Sequence, residues 1–228
     1  NTESSRCVIK PVGPVDLIIV SPLGGIALKP IIFILGLSGV GKTHTAKAIS
    51  KDYSLKHIDI DRKGGGFTRG RFPAEWDEDI ERVDFTILSA IVRGGLGDWH
   101  QGAVLSFPTT YRFNREQLRD VSRHGVGVVV LWGPLEHCWD VRRKRQEKNK
   151  GTTPKSTDYL RKNRPTFEMY EGAEYDEFKV EAFQSDGSRP SRDILLTLVL
   201  NRLAEQGVEL SASWTCNTGQ RYDGTRNT

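Results

Sequence analysis

The chain is poor in sulfur: 228 residues hold three cysteines and one methionine. Cys7, Cys138 and Cys216 are far apart and odd in number, with no CxxC spacing. That argues against a zinc site or a disulfide framework and suits a reducing compartment, so a cytoplasmic location is expected. No apolar run approaches the ~20 residues that span a bilayer, and no signal-peptide pattern opens the sequence, so no membrane partner is expected. Repeats and long low-complexity tracts are also missing. The third apolar segment, Ala103-Val104-Leu105-Ser106-Phe107, has no aspartate at its end, which argues against a motor or switch nucleotidase with an ordinary strand-end carboxylate.

What is present starts from Gly36-Leu37-Ser38-Gly39-Val40-Gly41-Lys42-Thr43, which satisfies G-x-x-x-x-G-K-[ST]. A loop that brings successive backbone N–H groups to phosphate oxygens needs glycine where side chains would obstruct. Lys42 can then reach β/γ-phosphates, and the Thr43 hydroxyl can bind Mg²⁺. Before the loop, Ile31 to Leu35 is an apolar run fit for a buried strand; after it, Ala46, Ala48 and Ile49 fit a helix whose N-terminal dipole faces an anion. The nucleotide-binding candidates here are Gly36, Ser38, Gly39, Val40, Gly41, Lys42, Thr43 and His44. The competing reading is a glycine-rich turn that binds nothing.

Lys56 to Asp61 reads as a second strand ending in two carboxylates. Residues i and i+2 of a strand share a face, so Asp59 and Asp61 can converge, and a cation between them would relieve their repulsion. A plain turn using aspartate is the alternative. Further strands are expected at Ala103–Phe107, Val126–Trp132 and Phe178–Phe183. Helices are expected over Pro73–Val92, from a capping box at Asn114 to Gly125, from Gly133-Pro134 into a basic segment, and over Ser191–Ala204. In the helix at 73–92, Trp76 is read as packing. Alternating strands and helices imply a parallel sheet covered on both faces, with a ligand at the strands' carboxyl ends. Residues 1–29 read as an N-terminal extension, 30–207 as the domain with a basic lid at about 145–157, and 208–228 as a disordered tail. The first residue is Asn1 and the only methionine Met169, so a fragment or processed product is expected. The sequence sets no oligomeric state.

The net charge is +4, but Arg142 to Arg164 carries ten basic residues against Glu147 and Asp158. Such clustering implies an anionic partner or, equally, a solvated helix face.

These residues resemble the P-loop small-molecule kinases, shikimate and gluconate kinase in particular, from about Ile31 to Leu203. The motifs are GLSGVGKT at 36–43, DID at 59–61, VRR at 141–143, RKNRPTFEMY at 161–170 and SDGSRPSRDI at 185–194. The resemblance implies a three-layer α/β/α fold with a five-stranded parallel sheet of order 2-3-1-4-5 and a basic lid. It implies ATP and Mg²⁺, with Asp59 serving the metal beside Thr43 and Asp61 binding the acceptor hydroxyl as base. It also implies Arg142 or Arg143 bordering the nucleotide, Arg189-Pro190 beside adenine and Arg164 at an anionic acceptor; separately, Arg62 to Phe72 reads as a mobile basic loop whose Arg69 and Arg71 are further acceptor-binding candidates. Two departures stand out. Shikimate kinases carry Gly-Gly-Gly after the third strand where this chain has Phe107-Pro108-Thr109-Thr110, and a helical acceptor-binding arginine has no match, so shikimate is not the expected acceptor. The lid arginine has no clean counterpart either, leaving Arg145 or Lys150 to act on the transferred phosphoryl group. The expected activity is transfer of the γ-phosphoryl of Mg·ATP to a hydroxyl of an anionic small molecule. The alternatives are a nucleoside or nucleotide kinase, with Phe72 and Trp76 to stack a base, and a non-catalytic nucleotide- or RNA-binding module. Nucleic acid is the less expected partner.

Overall fold

The computed structural model describes residues 29–60, 96, 101–109, 111–153 and 155–210. Asp61, Arg69, Arg71, the helix expected at 73–92 and the tail at 211–228 lie outside the described residues, as does all of the N-terminal extension except Lys29.

Five strands form one parallel sheet: β1 (Ile31–Gly36), β2 (Lys56–Asp59), β3 (Ala103–Ser106), β4 (Val126–Trp132) and β5 (Lys179–Glu181). Their order is β2-β3-β1-β4-β5, the order expected. Ile31 sits opposite Ala103 on one side and Val126 on the other, so β1 lies between two parallel neighbours in the middle of the sheet. Between strands run α1 (Lys42–Asp52), α2 (Arg115–Arg123), α3 (Leu135–Lys150), α4 (Ser156–Glu171) and, after β5, α5 (Arg192–Glu205).

Strand alternation divides the core in two. Ile31, Phe33 and Leu35 of β1 join Val126, Val128 and Val130 of β4 beneath Leu118 and Val121 of α2 and Tyr170 of α4. Ile32, Ile34, Val129 and Leu131 face the other way, against Ala46 and Ile49 of α1 and Val199 and Leu203 of α5. With both faces of the central strands sealed, each buried aliphatic side chain contributes about 1.5–3 kcal/mol, and the three-layer α/β/α arrangement follows. The capping box is present: Gln117 N–H donates to Asn114 Oδ1, and Asn114 N–H donates to Gln117 Oε1, both at 2.9 Å. Among the described residues no helix is long and apolar enough to cross a membrane.

Both edge strands are shorter than expected. β2 closes at Asp59 and β5 spans only Lys179–Glu181, because edge strands pair on one side and fray sooner. The expected lid at 145–157 is mostly helix: α3 continues through Lys150, Gly151 in the left-handed conformation stops it, and α4 begins at Ser156. α4 holds Pro165 in its interior, where a proline ordinarily breaks a helix, and packing at both ends of α4 outweighs that loss. Thr166 Oγ1 donates to the Thr109 carbonyl at 2.8 Å, and Tyr170 Oη accepts from Phe113 N–H at 3.1 Å. α4 thus lies across the carboxyl ends of the strands.

Candidate phosphate-binding site

The loop leaving β1 bends through three left-handed glycines: Gly36 at φ +129°, Gly39 at +97° and Gly41 at +111°. Two also have no room for a side chain. A Cβ on Gly36 would come within 2.2 Å of the Leu131 carbonyl oxygen, and one on Gly39 within 2.2 Å of that of Cys138. Gly41 precedes α1 and no side chain among the described residues caps it, so the N-terminus of that helix opens at the loop, where its dipole favours an anion. Val40 is fully buried and anchors the loop from beneath, while His44, in the first turn of α1, is exposed.

The loop's carbonyls are turned toward donors. Lys42 Nζ donates to the carbonyls of Gly36 and Leu37, each at 2.8 Å. Tyr159 Oη donates to the Ser38 carbonyl at 2.8 Å, and the Arg189 guanidinium donates to that of Gly39. Ser38 N–H donates to Asn163 Oδ1 at 2.9 Å. Arg189 also lies over the Phe183 ring, 5.3 Å from its centroid, so it bridges the loop and the segment after β5, with Pro190 next to it. Cys138 sits behind the loop. Burial pushes its thiol up to about 12 despite the opposing charges of Arg189 and Lys42, so it stays protonated and inert.

At the end of β2, Asp59 stands opposite Ser106 of β3, and Ser106 Oγ donates to Asp59 Oδ1 at 3.4 Å. His57 Nε2 lies 3.1 Å from the same hydroxyl. Because the hydroxyl has one proton, a bond to Asp59 leaves it to accept from His57 Nε2–H. Among the described residues no cluster of three His, Cys, Asp or Glu side chains offers a closed metal cage. The donor set of Thr43 and Asp59 fits Mg²⁺ shared with phosphate oxygens, since that ion keeps most of its shell as water and ligand oxygen.

The remaining candidates are spread along the α3–α4 hairpin. Arg143 is engaged within α3 by Glu147 at 3.2 Å and Asp140 at 3.4 Å. Arg142, Arg145 and Lys150 of α3 and Arg164 of α4 are exposed, and no hydrogen bond or ion pair joins them to the loop among the described residues. Sequence reasoning missed Tyr159, Asn163 and Ser106. The motif RKNRPTFEMY contains Asn163, but its contact with Ser38 spans 125 residues and follows only from α4 being a helix.

No protein-family model matches the chain, and no curated protein matches it. Solved structures similar to it include a gluconokinase from Sinorhizobium meliloti, at 18% identity, covering 78% of this chain and 93% of that one, TM-score 0.45. A sugar kinase from a Janibacter species is 20% identical, covering 79% and 99%, TM-score 0.45. A shikimate kinase from Acinetobacter baumannii in complex with shikimate is 18% identical, covering 77% and 93%, TM-score 0.44. The chain's own sheet order, β2-β3-β1-β4-β5, and the glycine loop between β1 and α1 are the ones its sequence resemblance to the P-loop small-molecule kinases implies.

Proposed function

We propose that the chain is an ATP-dependent phosphotransferase that moves the γ-phosphoryl group to a hydroxyl of an anionic small molecule. The observation that carries this reading is the cradle itself. Three glycines in conformations other residues avoid, two of them where a Cβ cannot fit, stand between a buried strand and an uncapped helix with Lys42 and Thr43 at its start. Mg·ATP would supply the transferable phosphoryl group and a leaving group whose charge is already partly neutralised. Lys42 would exchange its two carbonyl partners for phosphate oxygens. Thr43 and Asp59 would hold the cation, and Ser106 would orient Asp59. Asp61, two residues beyond Asp59 in the sequence, would accept the hydroxyl proton as the acceptor oxygen bonds to phosphorus and the bridge to the β-phosphate breaks. Arg69, Arg71 and Arg164 would hold the acceptor's anionic group. Arg145 or Lys150 would reach the transferred group on closure of the hairpin.

The test is ADP release from Mg·ATP over a panel of hydroxy acids, sugars, sugar acids and nucleosides. Turnover with one class of anionic hydroxyl compound is the expected result. Turnover only with nucleosides would assign a nucleoside kinase. Absence of turnover together with absence of ATP binding would overturn the reading.

A further inference from the structure

The two backbone groups of Ser38 are both held by α4. Asn163 is 1% exposed and Tyr159 7%, so these are interior contacts. Asn163 is fixed at both ends of its amide: Oδ1 accepts from Ser38 N–H, and Nδ2 donates to the Tyr159 carbonyl at 2.8 Å. The Leu37–Ser38 peptide is therefore clamped from both sides, its carbonyl by Lys42 and its N–H by Asn163. The next peptide, Ser38–Gly39, is held at its carbonyl by the Tyr159 hydroxyl. A trans peptide is planar with N–H and C=O opposed. Pinning the Ser38 carbonyl against α4 thus turns the Gly39 N–H away from α4. That N–H has no hydrogen-bond partner among the described residues.

We infer that Tyr159 and Asn163 are positioning residues that orient the Gly39 N–H toward a bound phosphate, making α4 part of the phosphate site. The inference rests on the proposed nucleotide-binding role. Tyr159 is suited to the task because burial holds its phenol far above the ordinary tyrosine range, so it remains a donor at any working pH. The Gly39 carbonyl that Arg189 binds belongs to the following peptide, so among the described residues the Tyr159 hydroxyl alone holds the Ser38–Gly39 peptide, and a glycine at φ +97° leaves that peptide freer to flip than another residue would.

The experiment measures binding of Mg·ADP and of adenosine, by calorimetric competition, to the full chain and to Tyr159→Phe and Asn163→Leu. Both substitutions keep side-chain bulk and remove the contact. Weakening of Mg·ADP by about five- to tenfold is expected in each, the effect of losing the one hydrogen bond that each side chain makes to Ser38, with adenosine affinity unchanged. Equal loss for both ligands, or no loss for either, overturns the inference and leaves a purely structural clasp. A parent chain that binds ADP beside variants that bind it equally well defeats this inference alone. A parent chain that binds no ADP defeats the nucleotide reading and this inference together.

Discussion

The α-carbon of Gly39 packs so closely on the main chain of Cys138 that a β-carbon there would lie 2.2 Å from the Cys138 carbonyl oxygen. Backbone atoms on α3 cannot yield as a flexible side chain can, and φ at Gly39 is +97° besides. Gly39→Ala should therefore abolish Mg·ADP binding and lower the melting temperature. Gly125→Ala is the control: φ is +74°, nothing lies within 4 Å of the added carbon, and only left-handed strain of about 1–2 kcal/mol is expected. Calorimetry on the two variants checks this, and retained ADP binding in Gly39→Ala would contradict the cradle.

Lys42→Ala separates chemistry from folding. Its ammonium bonds two carbonyls of its own loop, a contact that contributes about 1 kcal/mol in an open site, so the variant should fold with nearly unchanged melting temperature. ATP turnover should fall by about 10²–10³, the cost typical of removing one preorganised charge-stabilising donor. Turnover at the parent rate would contradict a phosphate role for this lysine.

Much of the fold was legible because burial on both faces writes long apolar strands: Ile31 to Leu35 and Val126 to Trp132 announce the two central strands, and the sheet order matches the one the resemblance implied. The glycine loop was legible for a similar reason, since its conformation admits few other sequences. α4 was not. Gly151, Pro154 and Pro165 punctuate the segment and its basic residues mask the period of Tyr159, Asn163, Thr166 and Tyr170, the buried face. Tyr159 and Asn163 act on Ser38 through tertiary placement, which carries no local signature. Ser106 was read only as an absent carboxylate; its pairing with Asp59 depends on strand register.

Alkaline pH should destabilise the chain from about pH 9 upward. Burial raises the Cys138 thiol from 9.0 to about 12, so the unfolded chain ionises there while the folded one does not. The stabilisation is complete below pH 9 and is lost between 9 and 12, at no more than about 1.4 kcal/mol per pH unit. Tyr159 and Tyr170, both raised chiefly by burial, add the same sign from about pH 10. Melting temperatures measured from pH 7 to 10.5 should fall more steeply in the parent than in Cys138→Ala. Peptide mapping after alkylation at pH 8 should find Cys138 unmodified until the chain unfolds.

Asp59, at the end of β2, and Asp61, two residues on in the sequence, should divide the work. Asp59 receives the Ser106 hydroxyl, and on the proposed reading it holds the cation together with Thr43 and the nucleotide phosphates, so Asp59→Asn would remove a metal ligand and its charge. The Mg²⁺ concentration for half-maximal rate should rise about tenfold or more, with much of the rate recovered at high Mg²⁺. Ser106→Ala leaves the carboxylate but frees its rotation, so a smaller shift of the same sign is expected. Asp61→Asn keeps size and hydrogen bonding yet removes the proposed base, and should lower transfer by about 10²–10⁴ with an unchanged Mg²⁺ midpoint. The decisive measurement is rate against Mg²⁺ for all three variants. Superimposable profiles for Asp59→Asn and Asp61→Asn would show that metal binding and proton acceptance are not split between these residues, and parental rates in both would leave them no part in the chemistry.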